Sequence, residues 1–413
     1  MVRLIPVFLI GLIWAFSGCQ QKDSAVGSDI APGLNDVFPE EKLLYPSQTA
    51  TFYELATTGD SDWLYIGRAQ GYESHILLKF NPYSALPDSY AIDSFAVKLW
   101  ADSIIVADPT SPMQVDVSFI DEYQSWAEIG VVWGDLDTAN IPPPNTSFEL
   151  PGDQLSEDEF QFSLYEYDYS SQDSLIRAWE WVGSGGKSLY YNSGLYLKSD
   201  KTTEHLVRFC SAEHDSVALR PKLEMYITVF DTTDGGVDTT YADTSYIYAG
   251  ADAFIVTDSA VLDPDFLYLG NAVSYRTILL FDLEGLFPAW GVGVHRAEVV
   301  LHADTTNQFQ LGQITGTYNF EMSDTTWITA PETAPYELGT YQSPSYYDEE
   351  TAILTLNITD IVYNWIRYPG TNNGFMIRTS APLEDISRTA FFGTNAADSL
   401  QPHLSIIYLD NTP

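Results

Sequence analysis

The chain has 413 residues, with 57 acidic against 18 basic side chains and a formal charge of −39. A hydrophobic fraction of 45% and an aromatic fraction of 14% supply packed cores and exclude low-hydrophobicity disorder as the main state. The scarcity of Lys and Arg excludes nucleic-acid binding by phosphate neutralisation, which needs clustered cations.

Residues 1–18 read as a secretory leader, with Arg3 as the charged start and Leu4–Phe16 as an apolar run. That run is shorter than the ~20 residues a spanning helix needs. It ends Phe16-Ser17-Gly18-Cys19, which resembles a bacterial lipobox. Cys19 is then the expected lipidation site, and the acyl chains hold the protein to a membrane without a transmembrane span. Ordinary secretion with cleavage nearby is the alternative. Gln20, not Asp, follows the cysteine, so the expected location is the bacterial cell envelope, at the outer membrane or cell surface. Residues 19–48 are polar and aperiodic and read as a flexible tether. With Cys19 acylated, Cys210 has no disulfide partner and is expected to be a buried small hydrophobe.

Beyond the tether, short alternating runs rich in Thr, Tyr, Val, Ile and Phe are separated by Gly, Asn, Asp and Pro, an all-β signature with short helices only. The chain also repeats itself. Leu64-Tyr65-Ile66-Gly67 recurs as Leu267-Tyr268-Leu269-Gly270, and Tyr72 recurs as Tyr275. Asn192-Ser193-Gly194 matches Asn372-Asn373-Gly374, and Arg220-Pro221-Lys222-Leu223 matches Gln401-Pro402-His403-Leu404. Two tandem domains follow, over 49–230 and 248–413. The first carries an insertion near 133–159, and an Asp/Thr-rich linker spans 231–247. Within that linker Asp231, Asp234 and Asp238 are weak calcium candidates, because hard cations take carboxylate oxygens, but the spacing lacks an EF-hand pattern. Thr359–Arg367 offers a capping Thr and helical apolar spacing, with Trp365 facing inward and Trp179 as its counterpart in the first copy.

The second copy resembles a known family. Ala251-Asp252-Ala253-Phe254-Ile255, Leu269-Gly270-Asn271, Arg276 through Asp282, Ile358–Trp365 and Gln401–Leu404 are similar to the DNRLRE domain, which is related to disaggregatase repeats and to carbohydrate-binding modules. The resemblance implies jelly-roll-like β-sandwiches on a secreted protein, with Asn271, Arg276 and Asp282 as family-motif residues. In the first copy Glu73 and Lys79 replace the arginine and the aspartate.

The chemistry-bearing residues are sparse. No His spacing suits a metal, and no nucleophile elbow or phosphate loop occurs, so no catalytic set is nominated and no enzyme is expected. Carboxylate pairs arise by chance among 57 acids. Aromatic side chains are the better signal, because sugar rings stack on exposed aromatic faces. Trp126, Trp133, Trp290 and Trp327 lie near loop edges and are the ligand-platform candidates; packing at sandwich edges is the alternative for each. Tyr165–Tyr169 and Tyr336–Tyr347 are further aromatic clusters. The expectation is a non-catalytic cell-surface lipoprotein that binds polysaccharide. It requires no cofactor other than optional calcium, and its partners are the membrane and a glycan. A structural or adhesive surface protein built from β-sandwich repeats is the alternative, and a polysaccharide lyase or hydrolase is the third.

Overall fold

The computed structural model describes residues 39–80, 90–106, 112–120, 124–144, 146–152, 159–163, 193–200, 202, 204–232, 238–287, 292–309, 314, 316–337, 341–343, 345–380, 382–383 and 385–410. The expected leader, Cys19, Trp179, Asp234 and Trp290 lie outside the described residues.

The chain is all-β. The first strands are β1 (Glu40–Leu44), β2 (Pro46–Leu55), β3 (Trp63–Ala69), β4 (Tyr72–Phe80), β5 (Tyr90–Val106), β6 (Met113–Phe119), β7 (Thr146–Leu150), β8 (Glu159–Ser163), β9 (Leu195–Ser199), β10 (His205–Cys210) and β11 (Lys222–Thr232). Then follow β12 (Asp238–Asp258), β13 (Phe266–Asn271), β14 (Val273–Phe281), β15 (Val292–Phe309), β16 (Thr317–Glu321), β17 (Tyr341–Ser343), β18 (Ser345–Asp348), β19 (Ile353–Asn357), β20 (Phe375–Thr379), β21 (Ser387–Phe392) and β22 (His403–Asp410). Among the described residues a single α-helix, α1 (Thr359–Arg367), buries Ile361, Val362, Trp365 and Ile366 against the second unit. Thr359 is its first residue and does not cap it. Its hydroxyl instead donates to Asn357 Oδ1 (2.7 Å) and accepts the Ala297 N–H (2.9 Å).

The first unit is a ten-stranded antiparallel sheet in the order β12-β11-β5-β10-β3-β4-β9-β6-β7, with β8 on β5. Because β12 also pairs with β4, six of its strands close into a ring. The second unit packs a seven-stranded sheet against a five-stranded one, β17-β16-β20-β14-β2. Leu269, Leu279, Val299, Leu356, Phe375 and Ile406 fill the space between them. Cys210 lies in the first unit, 1% exposed and unbridged, and burial pushes its thiol up to about 12.

The duplication is visible bond by bond. The Ser74 hydroxyl donates to Tyr65 O (2.8 Å), and the Thr277 hydroxyl to Tyr268 O (2.9 Å). Gly194 and Gly374 take φ of +89° and +91°, and each accepts a main-chain bond of 3.0 Å, from Ile120 N–H and Met322 N–H. A side chain at either glycine meets a main-chain carbonyl, that of Leu78 or Leu279. The extra length of the first copy is not one block at 133–159. Val115 pairs with Phe148 as Thr317 pairs with Ser343, so β7 corresponds to β17, and the added residues lie on both sides of it.

The expected boundaries also need correction. Residues 40–48 are not tether: β1 pairs with β22, and β2 pairs with β14 along its length. Nor is 238–247 a free linker, because β12 pairs with β11 from Asp238 to Tyr248 and with β4 from Ala249 to Asp258. The two arms are equivalent, since Leu44↔Leu404 repeats Ile247↔Leu223. The N-terminal arm therefore completes the second unit, and the segment between the copies completes the first.

The units share a core, in which Tyr268, Val273, Tyr275, Ile386 and Ala390 pack with residues of the first half. At its edge the repeat-equivalent tyrosines meet an ion pair between Arg388 and Asp258, whose side chains are 8% and 0% exposed. Tyr275 donates to Asp258 Oδ2 (2.8 Å), Tyr72 donates to Ser387 O (3.2 Å), and the Arg388 guanidinium lies 5.3 Å from the centre of the Tyr72 ring. Burial, more than the adjacent charges, holds the Tyr72 hydroxyl well above its usual range. Leaving a buried ion without its partner costs about 3–5 kcal/mol. Asp258→Asn is therefore expected to destabilise the chain by that order in chemical denaturation; an unchanged midpoint would contradict this role for the pair.

Candidate functional site

Two of the tryptophans expected to present open faces, Trp126 and Trp327, are buried. Trp126 is 7% and Trp327 0% exposed. They occupy equivalent places: the Trp126 indole N–H donates to Ser193 O (2.7 Å) and that of Trp327 to Asn373 O (2.8 Å). Each indole bonds the residue that precedes the equivalent glycine, Gly194 or Gly374, and belongs to a small apolar cluster outside the main core, with Val131 and Leu136 in one copy and Phe320 and Met322 in the other. Trp133 is half-buried, its ring 4.7 Å from that of His75.

The three family-motif residues are separated. Asn271 is buried and donates to Asp385 Oδ1 (2.8 Å). Arg276 pairs with Glu54 of the N-terminal arm (2.5 Å) and not with Asp282. Asp282 is exposed, accepts the Glu284 N–H (2.9 Å), and lines a cavity of about 480 Å³ with Ser47, Glu284, Trp365 and Asn372. Among the weak calcium candidates, Asp231 and Asp238 occupy strand positions opposite Thr239 and Thr232, at the end of the β11–β12 hairpin.

An aromatic face does exist, and one of its two strands, β12, begins within the segment 231–247 that reads as a linker. Directly opposed residues of an antiparallel pair share a face. Lys222↔Tyr248, Glu224↔Tyr246, Tyr226↔Thr244 and Phe230↔Thr240 therefore lie together on the outer side of the β11–β12 hairpin. The inner side carries the buried Leu223, Met225, Ile227 and Val229. Tyr226, Phe230, Tyr246 and Tyr248 are exposed, at 37%, 40%, 51% and 41%. Lys98 of β5 joins them, its ammonium 2.5 Å from Glu224 Oε2. Burial would raise the Glu224 pKa, but hydrogen bonds from Lys98, Tyr246 and Tyr226 outweigh it and lower the pKa. Lys222 lies 5.7 Å from the centre of the Tyr246 ring. The result is a neutralised acid–base pair flanked by open tyrosine rings. The periodicity signal was present in Leu223–Ile227, but the Asp/Thr composition after Phe230 concealed the partner strand.

A second polar cluster joins Glu128, Glu213 and Asp252, whose carboxylate oxygens lie within 4.8 Å of one another. Burial, then the neighbouring Glu213 charge, pushes Asp252 well above the usual carboxylate range; burial and Glu128 likewise raise Glu213.

No known family's sequence profile matches the chain. No curated protein is similar to it in sequence. Among solved structures it is similar to "Structure of the Macrobrachium rosenbergii Nodavirus", at 10% identity over 94% of this chain and 95% of that one, with a TM-score of 0.14. It is also similar to "Structure of infectious bursal disease virus Gx strain", at 10% identity over 92% and 80%, with a TM-score of 0.11. Scores this low carry no argument about fold or function.

Two measurements check these assignments. Truncating a buried Trp costs about 3–5 kcal/mol, so Trp327→Ala is expected to destabilise the second unit by that order without touching the tyrosine face. Hydrogen bonds from His75 and Arg68 hold the Glu73 carboxyl down at about 2, from 4.5. A depressed acid stabilises the fold above its unfolded pKa, and that contribution disappears as pH falls through the folded one. Stability is therefore expected to drop between about pH 4.5 and 2, and Glu73→Gln should flatten that segment of the acid-unfolding profile.

Proposed function

We propose that this protein is a non-catalytic, lipid-anchored bacterial surface protein that holds neutral polysaccharide on the tyrosine face of the β11–β12 hairpin. The observation that carries the reading is the grouping of Tyr226, Tyr246 and Tyr248, open to solvent, around the Lys98–Glu224 pair. Sugar rings place their C–H faces on aromatic rings while their hydroxyls both donate and accept. The tyrosine hydroxyls serve sugar hydroxyls, and the largely buried Lys98–Glu224 pair beneath them leaves no unbalanced charge on the face. The net charge of −39 selects among glycans, because a polyanion meets long-range repulsion. The lipobox-like Ser17-Gly18-Cys19 supports display at a membrane surface, and the DNRLRE-like motifs of the second copy support a carbohydrate ligand.

The alternative occupant of the same face is another protein surface, which makes the chain an adhesive or assembly unit. Open tyrosines of this kind suit either role. Affinity electrophoresis and calorimetry against a panel of neutral glycans separate the two. Retention by at least one neutral glycan is expected. One aromatic contact contributes about 0.5–1.5 kcal/mol, so Tyr246→Ala is expected to weaken binding by about two- to tenfold. No retention by any glycan, together with self-association by light scattering that Tyr246→Ala abolishes, would establish the adhesive reading instead.

A further inference from the structure

We propose that Glu128, Glu213 and Asp252 form a calcium site that fastens the loop after β6 to the first unit. The three residues come from distant parts of the chain: Glu128 from the loop that carries Trp126, Glu213 from the turn after β10, and Asp252 from the middle of β12. One oxygen of each carboxylate lies within 4.8 Å of the others, the spacing that a shared ion requires. Asp252 is 1% exposed. Its Oδ1, and Glu213 Oε2, are shielded from solvent and, with both carboxylates ionised, meet no donor. An orphaned carboxylate oxygen in that setting is costly unless a cation completes it. Among the described residues no Lys, Arg or His forms an ion pair with any of the three.

The carboxylates are already aimed. The Ala212 N–H donates to Asp252 Oδ2 (2.7 Å), the Asp252 N–H to Glu128 Oε1 (3.0 Å), and the Glu213 N–H to the Ser211 hydroxyl (3.1 Å). Bonds of this kind hold ligands in place before the ion arrives. Gly59 lies so close to the Glu128 main chain and Cγ that a side chain there would displace Glu128. The Phe254 N–H donates to the Thr58 hydroxyl (3.0 Å), which pins that loop to β12 two residues past Asp252.

The donor set selects the ion. Three carboxylates with no imidazole or thiolate exclude the preferences of zinc. Magnesium keeps most of its waters and takes one or two carboxylates, whereas calcium accepts a dehydrated, all-oxygen cage of flexible geometry. The site belongs to the first unit alone: two residues after Trp126 stands Glu128, but two residues after the equivalent Trp327 stands Thr329.

The test uses the full chain without its leader, with terbium and calcium as probes. Trp126 is two residues from Glu128, so excitation of tryptophan should sensitise terbium bound there. One saturable equivalent per chain is expected, displaced by calcium but not by equimolar magnesium. Calcium should also raise the unfolding temperature, and EDTA should reverse the rise. Asp252→Asn and Glu213→Gln should abolish both effects, and Gly59→Ala should weaken binding while leaving every carboxylate in place. If Asp252→Asn does not fold, Glu128→Gln, on the covering loop, provides the same comparison. Absence of a stoichiometric site, binding that survives loss of these carboxylates, or equal displacement by magnesium would overturn the proposal.

Discussion

The contact between Asp258 and Arg388 is the constraint on which the arrangement of this chain depends. Asp258 is the last residue of β12, and Arg388 lies on β21 of the second unit. Both charges are removed from water, which is tolerable only when the remaining hydrogen-bonding capacity is used. Tyr275 donates to the aspartate, and the guanidinium also reaches Gln70 O (3.3 Å) and lies against the Tyr72 ring. Because the pair terminates the strand that closes the first ring, it couples closure of one unit to docking of the other. Apolar packing through Tyr268, Val273 and Ala390 alone would leave their relative rotation less sharply defined.

One strand carries most of what distinguishes the molecule. The first half of β12 presents Tyr246 and Tyr248 on the open face, its middle supplies Asp252 to the acidic cluster, and its end supplies Asp258 to the interface. Its N-terminal half is exposed on one side, so it reads as polar, Asp-rich and loop-like. Its C-terminal half, Ala251–Asp258, is buried and reads as a strand. A composition scan divides these halves into linker and domain. Pairing with β11 and then with β4 joins them, and no local window of sequence contains that information.

The same reasoning separates what was legible from what was not. Strand character and the duplication were legible, because Gly194 and Gly374 need positive φ and Tyr65, Tyr72, Tyr268 and Tyr275 fill equivalent buried places. The helix at Thr359–Arg367 was legible through its apolar spacing, although Thr359 does not cap it. The N-terminal arm was not, since Glu40–Leu55 has half-buried and exposed positions and finds its partners more than 200 residues away. Trp126 and Trp327 sit in loops and look like edge residues, yet an indole is large enough to seal a loop from above and needs only one acceptor for its N–H. The carboxylates at 128, 213 and 252 have no motif because topology, not spacing, brings them together.

The distribution of charge gives the two proposed sites different physics. At the tyrosine face, Lys98 balances Glu224, so a ligand arriving there meets aromatic area and paired polar groups and little local field. At the cluster of Glu128, Glu213 and Asp252 no basic group among the described residues forms an ion pair, and the local potential adds to that of a chain with 57 acidic side chains. Long-range attraction of cations therefore acts on the second site and hardly on the first, and only the second should weaken steeply as salt rises. Two of the few basic residues stand beside buried acids: Lys98 beside Glu224 and Arg388 beside Asp258. Asp252, more deeply buried than Glu224, has no such partner among the described residues.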